Sequence, residues 1–135
     1  MTTARKAGAA GGTVAILGLA RSGRAAAELA LRAGYRVYAS DAGDSPALRA
    51  AAEAVRRAGG EAEVGGHSAE KIAACDLIVV SPGIPPTARI LNDPAVAAVP
   101  RVSELEFAFR FLDAPVAAVT GTNGKTTTTA LASHL

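Results

Sequence analysis

The run Thr120-Gly121-Thr122-Asn123-Gly124-Lys125-Thr126-Thr127 has the residue types and order of a loop that holds the phosphates of ATP or GTP. Gly121 and Gly124 let backbone N–H groups approach phosphate oxygens with no Cβ in the way. Lys125 adds a full charge for the β- and γ-phosphates, and the Thr126 hydroxyl stands where a Mg2+ ligand is needed. The general pattern G-x-x-x-x-G-K-[ST] is incomplete, because Val119 takes the first glycine position. Thr126 to Thr129 are poor helix formers, easier to explain at a helix start over a ligand than in a structural helix.

A second glycine-rich turn, Gly18-Leu19-Ala20-Arg21-Ser22-Gly23, approximates G-x-G-x-x-G with Ala20 at the middle glycine. Asp41 follows at the end of the next strand, where a dinucleotide fold places its ribose-binding acid. Taken alone, this half suggests an NAD-binding domain, although a Cβ at Ala20 obstructs close approach of a pyrophosphate. A third loop, Ser81-Pro82-Gly83-Ile84-Pro85-Pro86, is rigid and ends an apolar strand. Cys75 is the single cysteine. It excludes an intrachain disulfide, fits a reducing cytoplasm, and reads as an inert core thiol. His67 falls in an expected surface turn after Gly65-Gly66, and His134 lies near the last residue.

Alternating strands and helices position these loops. Strands are expected at Thr13–Leu17, Tyr35–Ala39, Glu61–Val64, Asp76–Val80, Pro100–Val102 and Pro115–Val119. Helices are expected at Arg21–Ala33, from Pro46 to about Ala58, at Ser68–Ala74, at Ser103–Leu112 and from Lys125 onward. A shorter helix is expected near Thr87–Leu91. Gly34 and Gly59-Gly60 stop the first two helices, and Ser103 with Glu106 forms a capping box. This order implies an α/β fold with a parallel sheet, whose ligands bind beyond the carboxyl ends of the strands. Gly18–Gly23, Ser40-Asp41, Ser81–Gly83 and Thr120–Thr127 all fall at such ends.

Composition narrows the classes. Half of the 135 residues are hydrophobic, 19% are charged, and the formal net charge is +2. Lys and Arg are scattered and aromatics are few, which argues against nucleic-acid binding. No apolar run approaches the roughly 20 residues of a membrane-spanning helix. Val14–Ala20 is interrupted by Gly18 and reads as a strand entering a turn rather than a signal-peptide core.

The segment Ala118–Thr127 resembles the ATP-binding loop of the Mur ligase superfamily, which replaces the first Walker glycine and carries Thr-Asn before Gly-Lys. Asp76–Pro85, Gly18–Gly23 and Ser103-Glu104-Leu105-Glu106-Phe107 resemble the branch of muramyl ligases that adds D-glutamate. The likeness runs from about Thr13 to Leu135. Residues 1–12, small, polar and Gly-rich, are expected to form a disordered tail. The resemblance implies a Rossmann-like domain at 13–100 for the UDP end of the substrate, and the first strand, phosphate loop and helix of a truncated P-loop ATPase domain at 101–135. It implies ATP-dependent joining of D-glutamate to UDP-N-acetylmuramoyl-L-alanine through an acyl phosphate, in peptidoglycan precursor synthesis by a cytoplasmic monomer.

Residue by residue, the resemblance places Gly18, Arg21, Ser22 and Gly23 near the diphosphate and Asp41 toward the uracil. It places Ser81, Pro82 and Gly83 along the nucleotide. ATP falls to Gly121, Thr122, Asn123, Gly124, Lys125, Thr126 and Thr127, with Lys125 and Thr126 catalytic and Thr126 on Mg2+. Ordinary structural readings stand beside these: Ser22 as a helix cap, Asp41 as a solvated strand end, Ser81–Gly83 as a plain turn. The chain is expected to be an N-terminal fragment without ligase activity of its own, lacking a second-metal carboxylate and a D-glutamate site. The rival readings are an NAD-dependent oxidoreductase domain and a non-catalytic UDP-sugar-binding module.

Overall fold

In the computed structural model residues 11–112 are described, and they form one parallel α/β sheet packed on both faces. The strands are β1 (Thr13–Leu17), β2 (Arg36–Asp41), β3 (Glu61–Val64), β4 (Leu77–Val80) and β5 (Arg101–Ser103), in the order β3-β2-β1-β4-β5. Every pairing is parallel. The helices are α1 (Arg21–Arg32), α2 (Pro46–Arg57), α3 (Ala69–Ala73), α4 (Pro94–Ala97) and α5 (Glu104–Phe109), with a 3-10 turn at Arg89–Asn92. The chain builds outward from β1 to β3, then returns to the other side of β1 with β4. The sheet direction therefore switches between β1 and β4, the place where a doubly wound sheet opens a crevice.

The period-2 alternation of the strands sorts the core into two layers. Val14, Ile16, Val37, Ala39 and Val79 face α1, α2 and α5, where Ala27, Ala52, Val55 and Phe107 meet them. Ala15, Leu17, Tyr38 and Ile78 face the opposite way, against Ile72, Leu91 and Val96. Because both faces are covered, the central strands read as continuous apolar runs. The small alanine faces of α1 and α2 allow the helices to approach the sheet closely.

Among the described residues, four of the five α-helices are capped by a side chain. Ser45 accepts the Leu48 N–H, Ser68 that of Lys71, Asp93 that of Ala95, and Ser103 that of Glu106. The exception is α1, whose N-cap is Ala20 and which has no side-chain cap bond.

The expected elements are found with shifted ends. β2 runs on to Asp41 because Ser40 and Asp41 pair with Glu63 and Val64. α5 ends at Phe109 rather than Leu112. The expected tail reached Gly12, but the Gly12 carbonyl accepts the Arg36 N–H at 2.9 Å and Gly11 donates to Gly34, so both glycines are tied to the sheet. A boundary was expected after residue 100. β5 hydrogen-bonds to β4, and Phe107 of α5 lies fully buried in the core with α1. Phe107 meets Tyr35 and Phe111 edge to face, with ring centroids 6.1 and 5.1 Å away. The strand expected at Pro115–Val119, the phosphate loop at Thr120–Thr127 and the helix from Lys125 lie outside the described residues.

Candidate functional site at the carboxyl edge of the sheet

The carboxyl ends of β1, β2 and β4 bring three of the sequence-predicted loops together. The Gly18 N–H donates to the Ser40 carbonyl at 2.8 Å, and the Ser81 N–H donates to the Leu17 carbonyl at 3.0 Å. The glycine turn is thus stitched to β2 on one side and to the Ser81–Gly83 loop on the other. Gly18 has φ +102°, and a Cβ there would stand 2.6 Å from the Ser81 Cβ. Only glycine meets both demands. At Gly23 a Cβ would stand 1.9 Å from the Gly18 carbonyl oxygen, so glycine is what lets α1 start directly over the turn.

Asp41 fastens the arrangement. Its Oδ2 accepts the Leu19 N–H at 2.8 Å and its Oδ1 accepts the Gly43 N–H at 2.8 Å. One carboxylate therefore clips the glycine turn to the loop after β2. Its backbone carbonyl accepts the Gly66 N–H at 3.1 Å, and Gly65 donates to Gly43, which adds the loop after β3. The sequence reading gave Asp41 a ligand role; the structure adds this bracing role.

Arg21 and Ser22 are exposed at the start of α1, and Pro82 and Gly83 are exposed beside a buried Ser81. An open groove of about 590 Å3 runs between the starts of α1 and α2, lined by Leu19, Ala20, Arg21, Ser45 and Leu48. A smaller, mostly apolar cavity of about 360 Å3 lies between α1 and α5, lined by Ser22, Ala25, Leu29, Pro82, Glu104 and Phe107. The first N–H groups of α1 lack intrahelical partners and point toward this edge, as an anion site requires. Gly121–Thr127, with Lys125 and Thr126, lie outside the described residues.

Two features were missed in the sequence. The fully buried Ser40 hydroxyl bonds Nδ1 of His67 at 2.8 Å, and His67 is half-buried rather than in a free surface turn. Burial pushes its imidazole below the usual histidine range, against the pull of Asp41 and Glu63. The apolar-looking β2 gave no hint of a polar partner for residue 67. The second is Glu104, read as part of a familial segment but with no role assigned. Cys75 accords with its expected inertness: burial and then Asp76 push its thiol up to about 11. No group of three His, Cys, Asp or Glu suited to a metal occurs among the described residues.

With this geometry in place, residues 12–103 match the family model of the Mur ligase MurD-like N-terminal domain. The chain belongs to the MurD-like Mur ligases. It is 48% identical over 120 residues to the UDP-N-acetylmuramoylalanine--D-glutamate ligase of Salinibacter ruber, covering 89% of this chain and 25% of that protein. To the ligase of the same name from Frankia casuarinae it is 46% identical over 121 residues, or 89% of the chain and 26% of the relative. The chain thus spans about a quarter of the length of these relatives. Among solved structures, a pseudomurein peptide ligase type C from Methanothermus fervidus superposes with TM-score 0.59 at 26% identity, over 87% of this chain and 24% of its own. A murein peptide ligase from Psychrobacter arcticus shares the fold with TM-score 0.63 at 22% identity, over 75% and 21% of the two chains. Within this MurD-like domain, the glycine turn, Asp41 and the Ser81–Gly83 loop all fall inside the matched span, whereas Thr120–Thr127 fall beyond it. Among the described residues no helix is long and apolar enough to cross a membrane.

Proposed function

We propose that this domain holds the UDP end of UDP-N-acetylmuramoyl-L-alanine for a cytoplasmic, monomeric ligase that adds D-glutamate during peptidoglycan precursor synthesis. The observation that carries the reading is the convergence of Gly18–Gly23, Asp41 and Ser81–Gly83 on the uncapped start of α1. The backbone N–H groups of Arg21, Ser22 and Gly23 would take the diphosphate, helped by the positive end of the 12-residue helix. The groove bounded by Leu19 and Leu48 would take the flat base, and Asp41 would accept from its N–H while keeping Leu19 and Gly43 in place. Ser81, Pro82 and Gly83 would border the sugar side.

ATP and Mg2+ belong to the proposed function through Gly121, Thr122, Asn123, Gly124, Lys125, Thr126 and Thr127. ATP would supply the phosphoryl group that activates the substrate carboxylate as an acyl phosphate before the amine of D-glutamate displaces phosphate. Lys125 would offset charge on the transferring group, and Thr126 would hold the metal ion.

The test is calorimetric titration of the chain with UDP and, separately, with NADH. Saturable UDP binding is expected, with amide shifts at Gly18–Gly23 and Ser81–Gly83 by NMR. Tight NADH binding with no response to UDP would overturn the reading in favour of a dinucleotide-binding oxidoreductase domain.

A further inference from the structure

Glu104 follows Ser103, the last residue of β5, and so sits at the same carboxyl edge as the glycine turn. The Ser103 hydroxyl accepts the Glu106 N–H at 3.1 Å and so fixes the direction in which residue 104 leaves the start of α5. Oε1 of Glu104 is buried and has no hydrogen-bond partner among the described residues. A Cβ placed on Gly23 would lie 3.4 Å from that oxygen, so the carboxylate rests against the first turn of α1. None of the ion pairs among the described residues includes Glu104. Glu104 also shares the smaller cavity with Ser22 and Pro82. A carboxylate oxygen with no partner among the described residues therefore lies beside the start of α1, the one long helix start among them that has no side-chain cap.

We propose that Glu104 is a resident anion at the start of α1, a specificity residue that opposes a diphosphate there and sets how tightly the nucleotide end is held. The inference rests on the reading of the glycine turn as a nucleotide-diphosphate site. The positive end of α1 favours a negative group beside it, and Glu104 supplies one in the absence of ligand. A diphosphate drawn to the N–H groups at the start of α1 meets the Glu104 charge across the cavity that Glu104 shares with Ser22. Repulsion between like charges in such a place is large enough to change affinity severalfold. A neutral group on the ligand feels none of it. Glu104 therefore discriminates by ligand charge, which a residue that merely supports α5 does not do.

The experiment titrates the full 135-residue chain and its variants with UDP and with uridine, after thermal melts show each variant folds cooperatively. Glu104→Gln is expected to bind UDP about three- to tenfold more tightly, with uridine binding unchanged to within about twofold. Glu104→Asp, which keeps the charge, is expected to stay within about twofold of wild type for both ligands. The gain in Glu104→Gln is expected to shrink in high salt. Should Glu104→Gln fail to fold, Glu104→Ser serves as the neutral variant. Wild-type binding of UDP with no gain in the neutral variant overturns the inference alone, as does an equal change for UDP and uridine. Failure of the wild-type chain to bind UDP overturns the nucleotide-site reading and the inference with it.

Discussion

The helices α1 and α2 have the same length, 12 residues each, similar alanine-rich faces and the same layer of the sheet, yet they begin in opposite ways. α2 starts as an isolated helix would, with Ser45 accepting the Leu48 N–H at 3.2 Å and Pro46 at the first position. α1 starts from Ala20, with Gly18 before it, Gly23 in its first turn and no side-chain cap. One start is closed by its own sequence, and the other is left open toward the edge of the sheet. The difference separates a helix end built for stability from one built to receive something. It also explains why the chain invests so many contacts around the open end. Gly18, Gly23 and Asp41 hold in place a turn that its own helix does not cap.

The largest effect is expected where that support is tightest. Gly23→Ala puts a methyl 1.9 Å from the Gly18 carbonyl oxygen, a backbone atom that cannot step aside without moving β1 or α1. A loss of about 3 kcal/mol in urea unfolding is expected. An unfolding midpoint equal to wild type would show that the close approach of turn and helix is not real. Asp41→Ala comes next. It removes an acceptor from two backbone N–H groups, and a cost of about 2 kcal/mol is expected by the same measurement. Asp41→Asn keeps an acceptor for one of them and should cost about half as much.

The contrast itself is sharpened by a pair of serines. Ser45→Ala should destabilise the chain by about 1 kcal/mol, because it uncaps α2. Ser22→Ala should change stability by less than about 0.5 kcal/mol, because Ser22 caps nothing, and should weaken UDP binding about threefold. Equal losses of stability in the two variants, measured by thermal melting, would erase the distinction between a closed start and an open one.

Much of this was legible in the sequence, for physical reasons that also mark where legibility ended. The strand–helix alternation, the glycine turn and the Ser81–Gly83 loop are local patterns, and local patterns survive reading one residue after another. Ser45, Ser68 and Ser103 show their roles because a cap reaches only three residues along the chain. The bracing role of Asp41 was not legible, since its partner Leu19 lies 22 residues away and presents only a backbone N–H, which has no sequence signature. The Ser40–His67 bond is hidden in the same way, across 27 residues. Glu104 was visible as a residue, but its neighbour Gly23 is distant in sequence, on α1, which packs beside α5 on the same face of the sheet. The pairing of β5 with β4 was not legible either, because a three-residue strand carries little pattern of its own and only its partner shows where it belongs.

The smallest effect tests the outer wall of the open end. His67 bonds the buried Ser40 hydroxyl, and the glycines before it donate to Asp41 and Gly43. Burial lowers the pKa of His67 from its ordinary 6.5, while Asp41 and Glu63 pull the other way, so the folded state takes up its proton later than the unfolded state as pH falls. Above pH 6.5 both states are neutral at this residue and stability is at its plateau. As pH drops below 6.5 the unfolded chain is protonated first, so stability falls until the folded-state pKa is reached and then levels off. Urea midpoints measured from pH 7.5 down to about 5.5 should therefore decline in wild type and decline less in His67→Gln, which keeps a polar partner for Ser40 but cannot take up the proton. The same acid shift should leave the Ser45→Ala deficit unchanged, because the Ser45 cap bond to Leu48 and the Ser40–His67 bond share no residue. A pH dependence identical in wild type and His67→Gln would place the titration elsewhere and detach His67 from the wall that holds the start of α1 open.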